Sequence, residues 1–141
     1  MAKDLIISEF LEDLSNIKTV ARKKEMLIAY DSRQLRTFFK GAFDRSIVFN
    51  VPVITRPYTS TPNSQVGWGS VSSQMRFFVK GEGQSKITEG EIIDKFISVL
   101  EKVSPKEAEV ILLMKDKKLI GKYKGVTKKL ISDTFPGLIE K

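Results

Sequence analysis

Apolar residues recur along this chain three or four positions apart, and the polar residues between them fall on the opposite side of a helical turn. Ile6, Phe10, Leu14 and Ile17 line one face of a helix predicted over 4–17, with Ser8, Glu12 and Asp13 on its wet side. Thr19 is placed to cap a second helix over 20–30, which carries Met26, Leu27 and the basic run Arg22-Lys23-Lys24. Asp31 is placed to cap a third, in which Leu35, Phe38, Phe39, Ala42 and Phe43 are spaced for burial and read as core.

After Asp44-Arg45 the pattern changes. Ile47, Phe49 and Val51 alternate with Val48 and Asn50, which allows either a short extended piece or a helix end. Over 52–70 the residues are mainly Pro, Ser, Thr, Gly and Asn without periodicity, a loop long enough to imply a function or mobility. It carries Arg56, Tyr58 and Trp68, the only tryptophan, which could plug the core or stack on a base. A short helix is predicted over 71–80 through Met75, Phe78 and Val79, ended by Gly81-Glu82-Gly83.

Thr88-Glu-Gly-Glu91 has the spacing of a capping box, and Ile92, Ile93, Phe96, Val99, Leu100 and Val103 follow at helical intervals. Ser104-Pro-Lys-Glu107 repeats the device, with Pro105 at the first helical position, where its missing N–H is no loss. Val110, Ile111, Leu113 and Met114 continue that helix. The fold class that follows is all-α: a compact bundle of roughly six to seven short helices in one domain spanning 1–141, interrupted by the loop.

Composition narrows the function classes. The 141 residues are 41% hydrophobic and 29% charged, as in an ordinary soluble globular protein, and no apolar run is long enough to span a membrane. The first residues lack the apolar core of a signal peptide, so a cytoplasmic location is expected, host cytoplasm if the source is viral. With no cysteine and no histidine, the usual zinc ligands and nucleophile–base pairs are missing; no cofactor, no metal and no catalytic residue is expected. Neither Gly67-Trp-Gly69 nor Gly81-Glu-Gly83 has the Lys-Ser/Thr of a phosphate loop, and Glu89, Glu91 and Asp94 suit an ordinary acidic helix start. The chain reads as a non-enzyme.

Charge changes the picture most. The stretch 115–129 holds seven lysines against Asp116 alone, a local charge of +6 in a protein of net +7. The pI near 9.6 makes nucleic acid the first partner to consider. Gly121 is predicted to end a helix in the left-handed conformation, Lys122-Tyr-Lys124 to form the turn, and Gly125 to permit close approach of a backbone or a phosphate. Thr127 is predicted to cap the last helix, with Val126 and Ile131 as a hydrophobic staple. Free N–H groups at that start suit an anion, whereas Lys128 and Lys129 in the first turn oppose the helix dipole, a conflict that phosphate would relieve. The candidate phosphate-binding residues are therefore Lys115, Lys117, Lys118, Gly121, Lys122, Lys124, Gly125, Thr127, Lys128 and Lys129.

The segment running from Glu107 through Met114-Lys-Asp-Lys-Lys-Leu-Ile-Gly121, then Gly125-Val-Thr-Lys-Lys-Leu-Ile131 and Phe135-Pro-Gly-Leu-Ile139, resembles the N-terminal DNA-binding domain of ATP-dependent DNA ligases, particularly of the T-even bacteriophage type. Leu35 to Val51 is similar to that family's aromatic-rich helix and apolar run, and Ile87 to Ile93 to one of its helix starts. The resemblance covers about two thirds of the chain, and it is the order of segments and the Pro-Gly-Leu ending that carry it. It implies an all-α domain gripping double-stranded DNA across the minor groove, with the 121–127 turn on phosphate and Arg45 as an outlying contact. The ligase nucleophile motif Lys-x-Asp-Gly is missing, so adenylation and nick sealing are not implied. Two functions remain open. One is a non-catalytic DNA-binding protein accessory to replication, repair or transcription. The other is a protein-interaction module on the same scaffold, docking on a replication, repair or transcription protein through the long loop or the basic face.

Overall fold

The computed structural model describes residues 6–44, 47–51, 57–62, 64–79 and 88–139, with Ser73, Arg76 and Phe77 described in backbone only. Arg45, Arg56 and the Gly81-Glu82-Gly83 stop lie outside that set. The fold is all-α. Its elements are α1 (Ile7–Asn16), α2 (Val20–Ala29), α3 (Arg33–Phe43), α4 (Trp68–Val71), a 3-10 helix (Ser72–Phe78), α5 (Glu89–Lys102), α6 (Pro105–Lys115), α7 (Leu119–Lys122) and α8 (Lys128–Thr134). Among the described residues there is no strand, only an isolated antiparallel bridge between Phe49 and Val79, so 47–51 is extended rather than a helix end. The predicted helix over 71–80 is corrected: the turn starts three residues earlier, at Trp68, and continues as 3-10 from Ser72.

Helix α6 is the hub. It packs on α1, α3, α5 and α7, and its run from Val110 to Met114 is wholly apolar, with Lys106 and Glu109 left at the surface. Ala108, Val110, Ile111 and Met114 are buried, and Leu112 and Leu113 are half-buried. The aromatic residues lock α3 to α4 and the 3-10 helix to α5. Phe38 meets Trp68 edge-on at 5.2 Å between ring centroids, and Phe78 meets Phe96 at 5.0 Å. Trp68 is fully buried, and its indole Nε1–H donates to the Gln34 carbonyl at 2.7 Å, so it is core and not a free stacking platform.

The most consequential buried group is Glu107, at 0% exposure. Its position matches the capping-box pattern, yet the carboxylate turns away from its own helix. Oε2 accepts from the backbone N–H of Ile7 at 2.8 Å and of Trp68 at 2.9 Å, and Oε1 from Ser8 N–H at 2.7 Å. One carboxylate thereby holds the N-termini of α1 and α4, where orphan N–H groups and the helix dipole favour a negative charge. This also corrects the wet face assigned to α1: Ser8 is only 4% exposed, and the buried stripe is Ile7, Phe10, Leu11 and Leu14.

Helix caps account for most boundaries. Thr19, Thr88, Ser104 and Thr127 each accept the N–H three residues on. The third helix is capped by Ser32, whose Oγ accepts from Leu35 N–H at 3.1 Å, and not by Asp31. Asp31 instead forms a two-pronged ion pair with Arg36, at 2.7 and 2.8 Å.

The Ser/Thr-rich loop has a definite structural job. Its described residues close the C-terminal end of α5, where carbonyls lack intrahelical partners. Ser60 Oγ donates to the Leu100 carbonyl at 3.1 Å, Thr61 Oγ1 to Glu101 at 2.7 Å, Ser64 Oγ to Lys102 at 2.7 Å, and Thr61 N–H to Val103 at 3.0 Å. Three of the loop's hydroxyl residues, Ser60, Thr61 and Ser64, thus serve this strap, and 52–56 and Asn63 lie outside the described residues.

Candidate nucleic-acid interface

The basic stretch begins as α6 ends. That helix stops at Lys115, and the left-handed residue that turns the chain is Lys117, at φ 56°, not Gly121. Gly121 lies inside the short helix α7 with open space where a Cβ would stand, so no close approach requires it to be glycine. Lys117 tolerates the left-handed conformation because its side chain is held. Its Nζ donates to the Gly41 carbonyl at 2.6 Å and lies 5.5 Å from the Phe49 ring centroid. Burial pushes the Lys117 ammonium below its usual pKa, while the carboxylate of Asp44 opposes that shift.

Two further lysines of the stretch have carboxylate partners, Lys115 from a largely covered position and Lys122 at the surface. Lys115, with 7% of its side chain exposed, pairs with Asp116 at 2.7 Å. Lys122 donates to Glu109 at 2.8 Å, and that hydrogen bond raises its pKa. Tyr123, the centre of the predicted turn, is buried, which raises its phenol pKa; the turn proper is Lys124-Gly125. The seven lysines therefore divide. Lys117 is tied to Gly41, and Lys115 and Lys122 are paired with Asp116 and Glu109, Lys122 in an exposed pair, whereas Lys118, Lys124, Lys128 and Lys129 are exposed and have no partner among the described residues.

The start of α8 follows the sequence pattern. Thr127 Oγ1 accepts from Leu130 N–H at 3.1 Å, and Val126 and Ile131 are both fully buried. No acid stands in the first turn, so Lys128 and Lys129 face the dipole unrelieved. Because α8 is only seven residues long and Thr127 already occupies one N–H, the cluster of lysines is the stronger feature, ahead of the helix terminus.

A contribution invisible in the local sequence comes from α2, which packs on α8. Lys23 Nζ lies 3.4 Å from the Gly125 carbonyl, its donor side toward the turn, and a Cβ at Gly125 would collide with that ammonium. The close approach expected at Gly125 is thus made by a lysine side chain. It brings Arg22 and Lys24, exposed and half-buried respectively, to the neighbourhood of a turn about a hundred residues away in sequence. A second basic run of this kind was the only signal available in the sequence.

No helix among the described residues is long and apolar enough to cross a membrane, and no group of three or more metal-ligating side chains comes together there. The arrangement is that of a small helical protein with a cation cluster built from two distant segments. The chain belongs to a family of unknown function (DUF6433), whose model matches residues 10–121. That match takes in α2, α3, α5 and α6 whole and stops before Lys124, Thr127 and α8. No curated protein matches the chain.

Proposed function

We propose that this protein binds double-stranded DNA through the phosphate backbone, without catalysis and without reading sequence, as an accessory to replication, repair or transcription. The observation that carries the reading is the convergence of unpartnered Lys124, Lys128 and Lys129 with the α2 basic run across the Lys23–Gly125 contact, with exposed Lys118 on the same basic stretch. Lysines meet phosphates as point charges, so they fix position but carry no base information. The resemblance of the segment order to ligase DNA-binding domains supports a duplex as the ligand.

The test is fluorescence anisotropy with a non-specific duplex over a salt series. About four phosphate contacts give a log–log slope near −4. Lys118→Glu, Lys124→Glu, Lys128→Glu and Lys129→Glu together should abolish binding. Lys115→Ala and Lys122→Ala, which remove lysines already paired with Asp116 and Glu109, should change it less. Binding unaffected by the quadruple change sinks the proposal. Docking of a protein through the long loop is the weaker reading, because Ser60, Thr61 and Ser64 of the loop are engaged on α5.

A further inference from the structure

A cavity of 780 Å³ opens between α3 and the α4/3-10 segment, within the size range of small-ligand sites. Its wall includes Phe49, Met75 and Trp68, and its polar edge includes Gln34 and Ser72. Arg33 and Lys40 stand at the α3 side, exposed and without an ion-pair partner among the described residues. No carboxylate is found among its described lining residues; Lys117 behind the Phe49 ring has the Asp44 carboxylate acting on it, so the cations free to act at the cavity are Arg33 and Lys40. A concave site lined by one sign of charge concentrates the opposite sign. The apolar wall takes a flat ring, the amide and hydroxyl suit ring heteroatoms, and the cations suit phosphate.

The spacing of the cations restricts the ligand further. Arg33 and Lys40 are seven residues apart on one helix, about 10 Å along its axis, so they bracket the opening rather than meet at one point. That arrangement fits phosphates on both sides of a base better than a single terminal phosphate. The cavity is also tied to the basic turn, since Lys117 binds the carbonyl of Gly41, itself part of the cavity wall.

We propose that this cavity receives one unpaired nucleotide of a nucleic-acid strand, its base against Phe49 and Met75 and its flanking phosphates on Arg33 and Lys40. The inference rests on the duplex-binding reading and names the feature of the duplex that is selected: a bulged, gapped or terminal nucleotide. Trp68 is the sole tryptophan and lies buried behind the cavity wall, so its emission reports changes in that wall.

The experiment compares an intact duplex, the same duplex with a single-nucleotide bulge, a free mononucleotide and a Glu-rich peptide, by anisotropy and Trp68 emission. The bulged duplex should bind roughly tenfold more tightly than the intact one, the scale of one base stacked on an apolar wall, and should shift Trp68 emission. Arg33→Ala with Lys40→Ala should erase that preference and leave intact-duplex affinity within about twofold. Lys40→Gln is the milder variant, and melting curves establish that each remains folded. Equal affinity for intact and bulged duplex overturns the cavity assignment while leaving the basic grip standing. Bulge binding that is lost in the α3 variants, with no affinity for intact duplex, supports the cavity and overturns the grip. A mononucleotide that binds as tightly as the bulged duplex, or a peptide that alone shifts Trp68 emission, overturns the assignment to a strand.

Discussion

Replacing Glu107 by alanine removes one buried acceptor from three backbone donors, Ile7, Ser8 and Trp68. Each buried N–H left without a partner costs about 1–3 kcal/mol, and the starts of two helices lose a favourable charge at about 0.3–1 kcal/mol each. Against this, the variant no longer has to keep a carboxylate out of water, which offsets several kcal/mol of the gross loss. The net expectation is a destabilisation of about 3–5 kcal/mol, a large share of the roughly 5–15 kcal/mol that holds an ordinary domain folded. Glu107→Gln separates charge from shape. Its amide oxygen can occupy the Oε2 position and keep Ile7 and Trp68, but its NH2 then faces the Ser8 N–H, so the loss should be smaller, about 1.5–3 kcal/mol. Urea unfolding followed by Trp68 emission reads these losses, and a midpoint shift of about 1–3 M is expected for the alanine variant. Hydrogen exchange at Ile7, Ser8 and Trp68 should accelerate ahead of the rest of the chain. An alanine variant within about 1 kcal/mol of the parent would refute the role assigned to this side chain.

Four further outcomes follow from the same contacts. Ser60→Ala, Thr61→Ala and Ser64→Ala should each cost about 0.5–1.5 kcal/mol in urea unfolding, because each removes a hydrogen bond to a terminal carbonyl of α5. Gly121→Ala should be neutral or stabilising by up to about 1 kcal/mol, since Gly121 is helical with open space around it, whereas Gly137→Ala should cost about 1–2 kcal/mol at φ +84°. Lys117 has a folded pKa below its unfolded value, so the unfolded state binds more protons in the window below about pH 10.5 and stability rises with pH there; the parent should gain on Lys117→Met across that window, and a flat difference would contradict it. Lys128→Glu and Lys129→Glu should each raise thermal stability at low salt by about 0.3–1 kcal/mol while weakening duplex binding, a pairing of opposite signs that calorimetry and anisotropy together can check.

The parts of the fold legible in the sequence were those decided locally. Thr19, Thr88, Ser104 and Thr127 cap as their spacing indicates, because a hydroxyl and an N–H three residues on are brought together by the helix itself. What was missed depends on distant partners. Glu107 looked like part of a capping box, although its place on one stripe with Val110, Ile111 and Met114 signals burial; its donors lie 39 to 100 residues away. Lys117 takes the left-handed turn that glycine preference assigned to Gly121, because Gly41 and Phe49, on other elements, hold its side chain. The loop over 52–70 looked unstructured because capping a neighbour's C-terminus leaves no periodic pattern in the loop itself.

The same distinction governs the basic stretch. Counting charge along the sequence weighted all seven lysines alike, but carboxylates, a carbonyl and an aromatic ring already engage three of them, Lys122 at the surface. The four that remain would be a modest patch alone. Their weight comes from α2, whose buried face is reduced to Leu27 and whose packing on α8 sets Lys23 against Gly125. Beyond Leu27 in the core and Met26 packed against it, α2 meets the turn and α8, where cations of like sign on the two segments repel one another. A polyanion bridging the two segments removes that repulsion, so binding and the docking of α2 should reinforce each other. By linkage, a duplex then stabilises the folded protein by an amount that shrinks as salt is added, and the gain should be greatest in α2. A solvated lysine turn with no ligand would show no such coupling, which makes the protection of α2 by DNA the observation that separates a binding surface from a charged exterior.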